Sequence, residues 1–102
     1  MTRQHSGQDK LLILIPVYED WNALALLLPA LDQELNVGGL SADILVVDDG
    51  SSECNFVATA PNCFRSIETI EILSLRRNVG HQRAIAVGLS YLEANQLCHL
   101  VV

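Results

Sequence analysis

The stretch Ile44–Ser52 reads ILVVDDGSS and decides the fold predicted for this chain. Four apolar, mostly β-branched residues are followed directly by two carboxylates, a glycine and two serines. A short apolar run bounded by turn residues is typical of a buried strand in a parallel sheet. Ligands of open α/β sheets bind outside the carboxyl ends of such strands. Asp48 and Asp49 therefore lie where a ligand would bind, although an Asp-Gly turn with solvated carboxylates explains the same residues.

Length and composition limit the class of protein. The chain has 102 residues, 6 Lys and Arg, 12 Asp and Glu, and a formal net charge of −6. This predicts one small globular domain, and the acidic balance argues against nucleic acid as a partner. No apolar run approaches the roughly 20 residues that span a bilayer, so we expect no membrane segment in this chain and a cytoplasmic location.

The apolar patterns along the chain predict one mostly parallel sheet with crossover helices. Unbroken apolar runs indicate strands covered on both faces, whereas partial alternation at 68–75 indicates a wetter edge strand. Two segments carry apolar residues at helical spacing, and Gly88 in the second is expected to allow close contact with the sheet. After a polar tail at 1–9, the expected elements are strands at 10–17, 42–47 and 68–75, helices at 21–35 and 81–95, a short helix at 56–60, and the opening of a fourth strand at 98–102.

The first helix has clear end signals and one conflicting residue. Asp20 is a candidate N-cap, and Gly38 and Gly39 are typical of a helix end. Pro29 lies inside the pattern and is expected to kink or split the helix. The predicted apolar stripe consists of Leu24, Leu27, Leu28, Leu31 and Leu35.

Polar groups follow three predicted strands at the same edge of the sheet. Arg76, Arg77 and Arg83 surround the start of the second helix, where free N–H groups and the helix dipole favour an anion. Carboxylates across the edge would suit ribose hydroxyls or a base N–H, and Tyr18 offers a ring for stacking. The plainer explanations are that Tyr18 is an amphipathic strand-exit residue and that His81 is a solvated residue of the first helical turn. The pattern alone therefore predicts a nucleotide-sized anionic ligand and nothing finer.

Three blocks of the sequence resemble the family 2 glycosyltransferases of the GT-A fold, most closely the dolichol-phosphate-sugar-synthase-like branch. The blocks are residues 15–18 (IPVY), 46–51 (VVDDGS) and 77–84 (RNVGHQRA), in the family's order. The resemblance implies a Rossmann-like three-layer α/β/α fold over residues 10–102, with strand order 3-2-1-4 and a truncated C-terminus. It also implies that a UDP- or GDP-sugar donates a sugar to a lipid-phosphate or glycan acceptor, in the cytoplasm or at the cytoplasmic membrane face.

The resemblance also assigns roles at the strand ends. Pro16 and Tyr18 would line the nucleobase pocket, and Asp49, supported by Asp48, would meet the base or ribose. Arg83 and the loop before the second helix would hold the base or the diphosphate. The implied nucleotide-binding set is Pro16, Tyr18, Asp20, Asp48, Asp49, Gly50, Ser51, Asn78, Gly80 and Arg83.

Two departures from the family pattern affect the functional prediction. Glu19 and Asp20 follow the tyrosine, where the family commonly has Asn-Glu, so the acidic position that contacts the nucleoside is one methylene shorter. The family's Asp-x-Asp motif, which holds a divalent metal (Mg²⁺ or Mn²⁺) at the donor diphosphate, is expected beyond Val102. We therefore expect no catalytic residue and no metal ligand within this chain, and no sugar transfer by the 102 residues alone.

Two other classes of protein fit parts of the pattern. A non-catalytic α/β module would bind a partner, or a second copy, through the exposed edge of the fourth strand, because an unpaired apolar edge invites pairing. A flavodoxin-like or receiver-like domain also carries acidic residues at its strand ends, but it gives the block at 77–84 no role.

Overall fold

The computed structural model describes residues 10–52, 64–94 and 100–101, which form a parallel sheet with a helix on each face. The strand order is β3-β2-β1-β4, which confirms the predicted α/β fold and its order 3-2-1-4. The first two strands pair in register along their whole length. The short helix predicted at 56–60 lies outside the described residues. The elements are β1 (Lys10–Val17), α1 (Trp21–Val37), β2 (Ser41–Asp48), β3 (Ile67–Ser74), α2 (His81–Ala94) and β4 (Leu100–Val101).

The pleat of β2 divides the core into two layers. Val46 belongs to the cluster that α1 covers, Val47 belongs to the cluster that α2 covers, and both are fully buried. This explains why β2 reads as an unbroken apolar run, since both of its faces lie under a helix. Asp48 is the last residue of β2, and Asp49 follows it directly at the end of the strand.

The helix α1 begins and ends as predicted but is not split. The Asp20 carboxylate accepts the Ala23 N–H at 3.3 Å and caps the helix. At the other end Gly39 adopts a φ of 70°, and its N–H and that of Leu40 bond back to carbonyls of the last turn. Pro29 lies inside one continuous helix, so the expected split was wrong, while the expected kink stays a prediction. Its side chain is exposed, so the ring and the missing N–H lie away from the sheet that holds the opposite face of α1.

A buried carboxylate on α1 anchors the start of β3. Asp32 accepts hydrogen bonds from the backbone N–H groups of Arg65, Ser66 and Ile67, at distances between 2.7 and 3.1 Å. Burial raises the pKa of Asp32, but the three N–H donors outweigh burial, and the pKa lies below its ordinary value of 3.8. The sequence analysis did not identify Asp32, because an acidic residue among leucines resembles an exposed position of the helix.

Asp32→Asn should lower the free energy of unfolding at neutral pH by about 1–3 kcal/mol, because the amide offers one acceptor and no charge to three donors. Folding lowers the pKa of the Asp32 carboxyl. Its contribution to the free energy of unfolding is therefore complete above pH 3.8 and is lost as the pH falls through the lowered pKa. Urea unfolding of both proteins across acid pH measures this. The difference between them should shrink below pH 3.8; a difference independent of pH would contradict the assignment.

Gly88 allows α2 to approach the sheet closely, as predicted. A Cβ atom at this position would lie 2.5 Å from Leu14 Cδ1 and 2.9 Å from Val47 Cγ2, and both of these side chains are fully buried. Closely packed interiors leave no room for such a methyl group without a shift of the helix.

Gly88→Ala should destabilise the chain by about 1–2 kcal/mol, although alanine has the higher helix propensity. The reason is the contact with Leu14 and Val47. Ser90→Ala on the exposed side of the same helix is the control, and it should leave stability equal or slightly higher. Thermal or urea unfolding of the unchanged chain and the two variants measures these stabilities. A Gly88→Ala variant more stable than the unchanged chain would refute close packing at this position.

Candidate functional site

The carboxylate of Asp49 holds the loop that leads into α2. Its Oδ1 accepts the Val79 N–H at 2.8 Å, and its Oδ2 accepts the Gly80 N–H at 3.1 Å and the Asn78 Nδ2 at 2.9 Å. The Asn78 amide also donates to the Asp49 carbonyl oxygen. Asp49 is only 3% exposed. We call Asp49, Asn78, Val79 and Gly80 the Asp49 network; it fixes the start of α2 against the end of β2.

Gly50 brings the backbones of two loops into direct contact. A Cβ atom at Gly50 would lie 2.3 Å from the carbonyl carbon of Arg77 and 2.3 Å from the amide nitrogen of Asn78. The φ of Gly50 is also positive, at 79°. Only glycine satisfies both conditions at low cost. The Asp-Asp-Gly sequence is therefore a structural element of this edge as well as a turn.

A second set of hydrogen bonds joins the ends of β1 and β2. The Ser51 N–H donates to Asp48 Oδ1 at 3.0 Å, while Ser51 Oγ accepts the Glu19 N–H at 2.8 Å. The Glu19 carboxylate accepts the Ser52 N–H at 3.0 Å and the Ser52 hydroxyl at 3.3 Å. We call the contacts of Glu19 with Ser51 and Ser52 the Glu19 clasp. Together with the Asp49 network, it ties three strand ends into one edge.

A cleft of about 360 Å³ opens at this edge beside β1. Its floor is apolar, and three polar side chains line it: Tyr18, Asp20 and His81. The Tyr18 side chain is 51% exposed, so its ring is available to a ligand. A concave apolar site with a few convergent polar groups is the usual form of a small-molecule site. The apolar lining consists of Ile15, Pro16, Val17, Ala23, Leu24 and Leu27.

Leu27 corrects the predicted apolar stripe of α1. Leu24, Leu28 and Leu35 are buried and Leu31 packs against the same cluster, as predicted, but Leu27 is 44% exposed. It is one residue from Leu28, about 100° around the helix, so it leaves the sheet and lines the cleft.

The predicted nucleotide-binding residues fall into three groups. The first group lines the cleft, the second belongs to the hydrogen-bonded edge beside it, and the third is one exposed residue on the first turn of α2. Both oxygens of Asp49 accept bonds from the loop, so its contact with a nucleoside stays a prediction. The groups are Pro16, Tyr18 and Asp20; Asp48, Asp49, Gly50, Ser51, Asn78 and Gly80; and Arg83.

Two residues of this edge have roles that the sequence did not show. His81 is an exposed residue of the first turn of α2, as one interpretation of the sequence predicted, and it also lines the cleft. Its position directly after Gly80, where the chain enters a helix at the ligand-binding edge, was the available signal. Glu19 was treated only as a departure from a family pattern. Its φ of 57° had no signal in the sequence, since glutamate rarely adopts a positive φ.

The described part of the chain offers no side-chain cluster that fits a metal ion. In the described ranges, no three His, Cys, Asp or Glu side chains come together as a metal site. Asp48 and Asp49 both accept hydrogen bonds from backbone N–H groups. The expectation that metal ligands follow Val102 stays a prediction.

Comparisons with known proteins agree on one family. The sequence model of the family described as "Glycosyl transferase family 2" matches residues 12–98. A similar curated protein is an uncharacterized glycosyltransferase from Synechocystis sp., 30% identical over 86 residues. The aligned part covers 84% of this chain and 27% of that relative, so the chain spans little more than a quarter of the relative's length. No solved structure matches the chain.

Gly50→Ala should destabilise the chain more than Gly39→Ala does. Both glycines have a positive φ, so both variants lose about 1–2 kcal/mol to backbone strain. Gly39 has open space around the new methyl group, whereas Gly50 faces the backbone of Arg77 and Asn78. We expect an additional loss of about 1–3 kcal/mol for Gly50→Ala in urea unfolding. Equal losses in the two variants would show that the loops do not meet at Gly50.

Proposed function

The chain belongs to glycosyl transferase family 2, and we propose that its cleft binds the nucleotide of a nucleotide-sugar donor. The observation that carries the proposal is the convergence of Tyr18, Asp20 and His81 on one apolar cleft at the carboxyl edge of a parallel sheet. Open α/β sheets bind their ligands at this edge. A transferase of this family needs a donor site, and the cleft has the chemistry of one.

The nucleobase is assigned to the cleft itself. The exposed Tyr18 ring provides a stacking face, and the floor beside Pro16 is apolar. Asp20 and His81 line the same cleft. A carboxylate accepts hydrogen bonds from a base N–H or a ribose hydroxyl, and an imidazole both donates and accepts. These groups bind a nucleoside by stacking and hydrogen bonding, and they take no part in a reaction.

The diphosphate is assigned to the start of α2. His81 is the first residue of this 14-residue helix, so the helix N-terminus lies at the cleft. The N–H groups of Val79 and Gly80 bind Asp49, so the N–H groups within the first turn of α2 and the helix dipole are the ones that favour the negative charge of the ligand. Arg83, exposed on the first turn, adds a positive charge. The Asp49 network holds this turn in place, which keeps the helix end directed at the ligand.

The finer assignments follow from the family resemblance. We propose a UDP- or GDP-sugar as donor, a lipid phosphate or a glycan as acceptor, and a dolichol-phosphate-sugar-synthase-like reaction as the one that this donor site serves. A divalent metal bound outside the described residues would neutralise the leaving diphosphate. Within the described ranges, neither helix has the length and apolar character needed to cross a membrane. Location in the cytoplasm or at its membrane face stays a prediction, as does pairing of a second chain at the edge of β4.

Tyr18→Ala should weaken nucleoside diphosphate binding about tenfold, because stacking of a base on an aromatic ring contributes about 1–3 kcal/mol. Calorimetry and NMR titration with UDP and with GDP measure the loss. Leu26→Ala is the matched control, since Leu26 is 77% exposed on α1 and does not line the cleft. It should leave affinity unchanged.

The titration also locates the site. Amide shifts near Tyr18, His81 and Arg83 are expected when UDP or GDP binds. Shifts confined to the opposite edge, around Lys10 and Glu68, would reject the cleft as the donor site.

A further inference from the structure

Glu19 stands between two residues of the cleft but does not line it. Tyr18 and Asp20, the residues before and after it, both line the cleft. The positive φ of Glu19, 57°, turns the chain between them. For a residue with a Cβ this conformation is unfavourable, so the surrounding contacts must hold it.

The Glu19 clasp provides those contacts. The backbone N–H of Glu19 bonds to the Ser51 hydroxyl, and its carboxylate takes both the N–H and the hydroxyl of Ser52. All of these partners belong to the segment that follows β2. The clasp thereby connects the cleft residues at the end of β1 to the segment that begins after Asp48, and Asp48 itself accepts the Ser51 N–H of that segment.

We infer that Glu19 is a positioning residue of the donor site: it holds Tyr18 and Asp20 at the cleft without touching the nucleotide itself. The inference rests on the proposed function and adds to it a residue that the resemblance left without a role. Glu19 orients the stacking ring and the nucleoside-binding carboxylate by tying their common backbone to Ser51 and Ser52. Without the clasp, Tyr18 and Asp20 are still present, but their positions relative to one another are no longer fixed.

Electrostatics and positioning predict opposite effects, which makes the inference testable. A nucleoside diphosphate is an anion, so loss of a nearby negative charge on Coulombic grounds alone strengthens its binding. Loss of the clasp weakens binding, because the ligand must then order Tyr18 and Asp20 itself. A role limited to folding would change the stability of the chain and leave the affinity of the folded protein unchanged.

The experiment measures unfolding free energy and UDP and GDP affinity for four proteins: the unchanged 102-residue chain, Glu19→Gly, Glu19→Gln and Glu34→Gln. Glycine adopts a positive φ freely, so Glu19→Gly keeps the backbone conformation and the N–H bond to Ser51 and removes the carboxylate bonds of the clasp to Ser52. Glutamine keeps the length and one acceptor for Ser52. Glu34 is exposed on α1 and away from the cleft, so Glu34→Gln controls for the lost charge.

We expect Glu19→Gly to keep its stability within experimental error of the unchanged chain and to bind nucleotide about tenfold more weakly. The nucleotide affinity of Glu19→Gln should lie between those of the unchanged chain and Glu19→Gly. Glu34→Gln should bind nucleotide as tightly as the unchanged chain does, or slightly more tightly. Unchanged or tighter binding by Glu19→Gly overturns the inference and leaves the donor site standing. Absence of UDP and GDP binding by the unchanged chain overturns the proposed function, and the inference with it.

Discussion

The buried carboxylate of Asp49 is the contact on which the arrangement of this edge depends. It receives the N–H groups of Val79 and Gly80 and the amide of Asn78, and so joins the central strand to the entry of α2. The same residue donates its own N–H to the Val17 carbonyl at 2.8 Å, which continues the pairing with β1. One residue therefore fixes a strand end, a loop and a helix start. Hydrogen bonds to a buried charge are among the stronger ones in proteins, so this contact outweighs the surface contacts of the chain.

The two edges of the sheet differ in the kind of polar contact they make. At the opposite edge Lys10 pairs with Asp43 at 3.2 Å and with Glu68 at 2.7 Å, and these side chains are partly or largely exposed. Exposed ion pairs contribute little to stability and adapt easily to their surroundings. At the carboxyl edge, carboxylates bind backbone N–H groups and fix loops. A prearranged edge with an open cleft is suited to selective binding, because the ligand has little to order on arrival.

The sequence predicted the framework well and the roles of single polar residues less well. Helix positions and the parallel pairing of strands followed from the apolar period and the crossover units, whereas the strand order 3-2-1-4 was implied by the family resemblance. The predicted split of α1 at Pro29 was wrong, because the intrinsic helix propensity of proline does not depend on which side of the helix packs against the sheet. Leu27 was wrongly placed in the buried stripe of α1, because helical spacing alone does not show where the buried face of a helix ends. Glu19, Asp32 and the bracing role of Asp49 depend on partners more than 25 residues away, which no local pattern specifies.

Amide hydrogen exchange at Val79 and Gly80, compared between the unchanged chain and Asp49→Asn, measures whether Asp49 holds the loop before α2 in place. Asparagine replaces one acceptor oxygen by a donor, so it cannot receive all three groups that bind the carboxylate. If Asp49 holds this edge together, exchange at Val79 and Gly80 rises about tenfold or more, while amides of the central strand such as Leu45 keep their protection. Unchanged exchange at both loop amides would contradict the account.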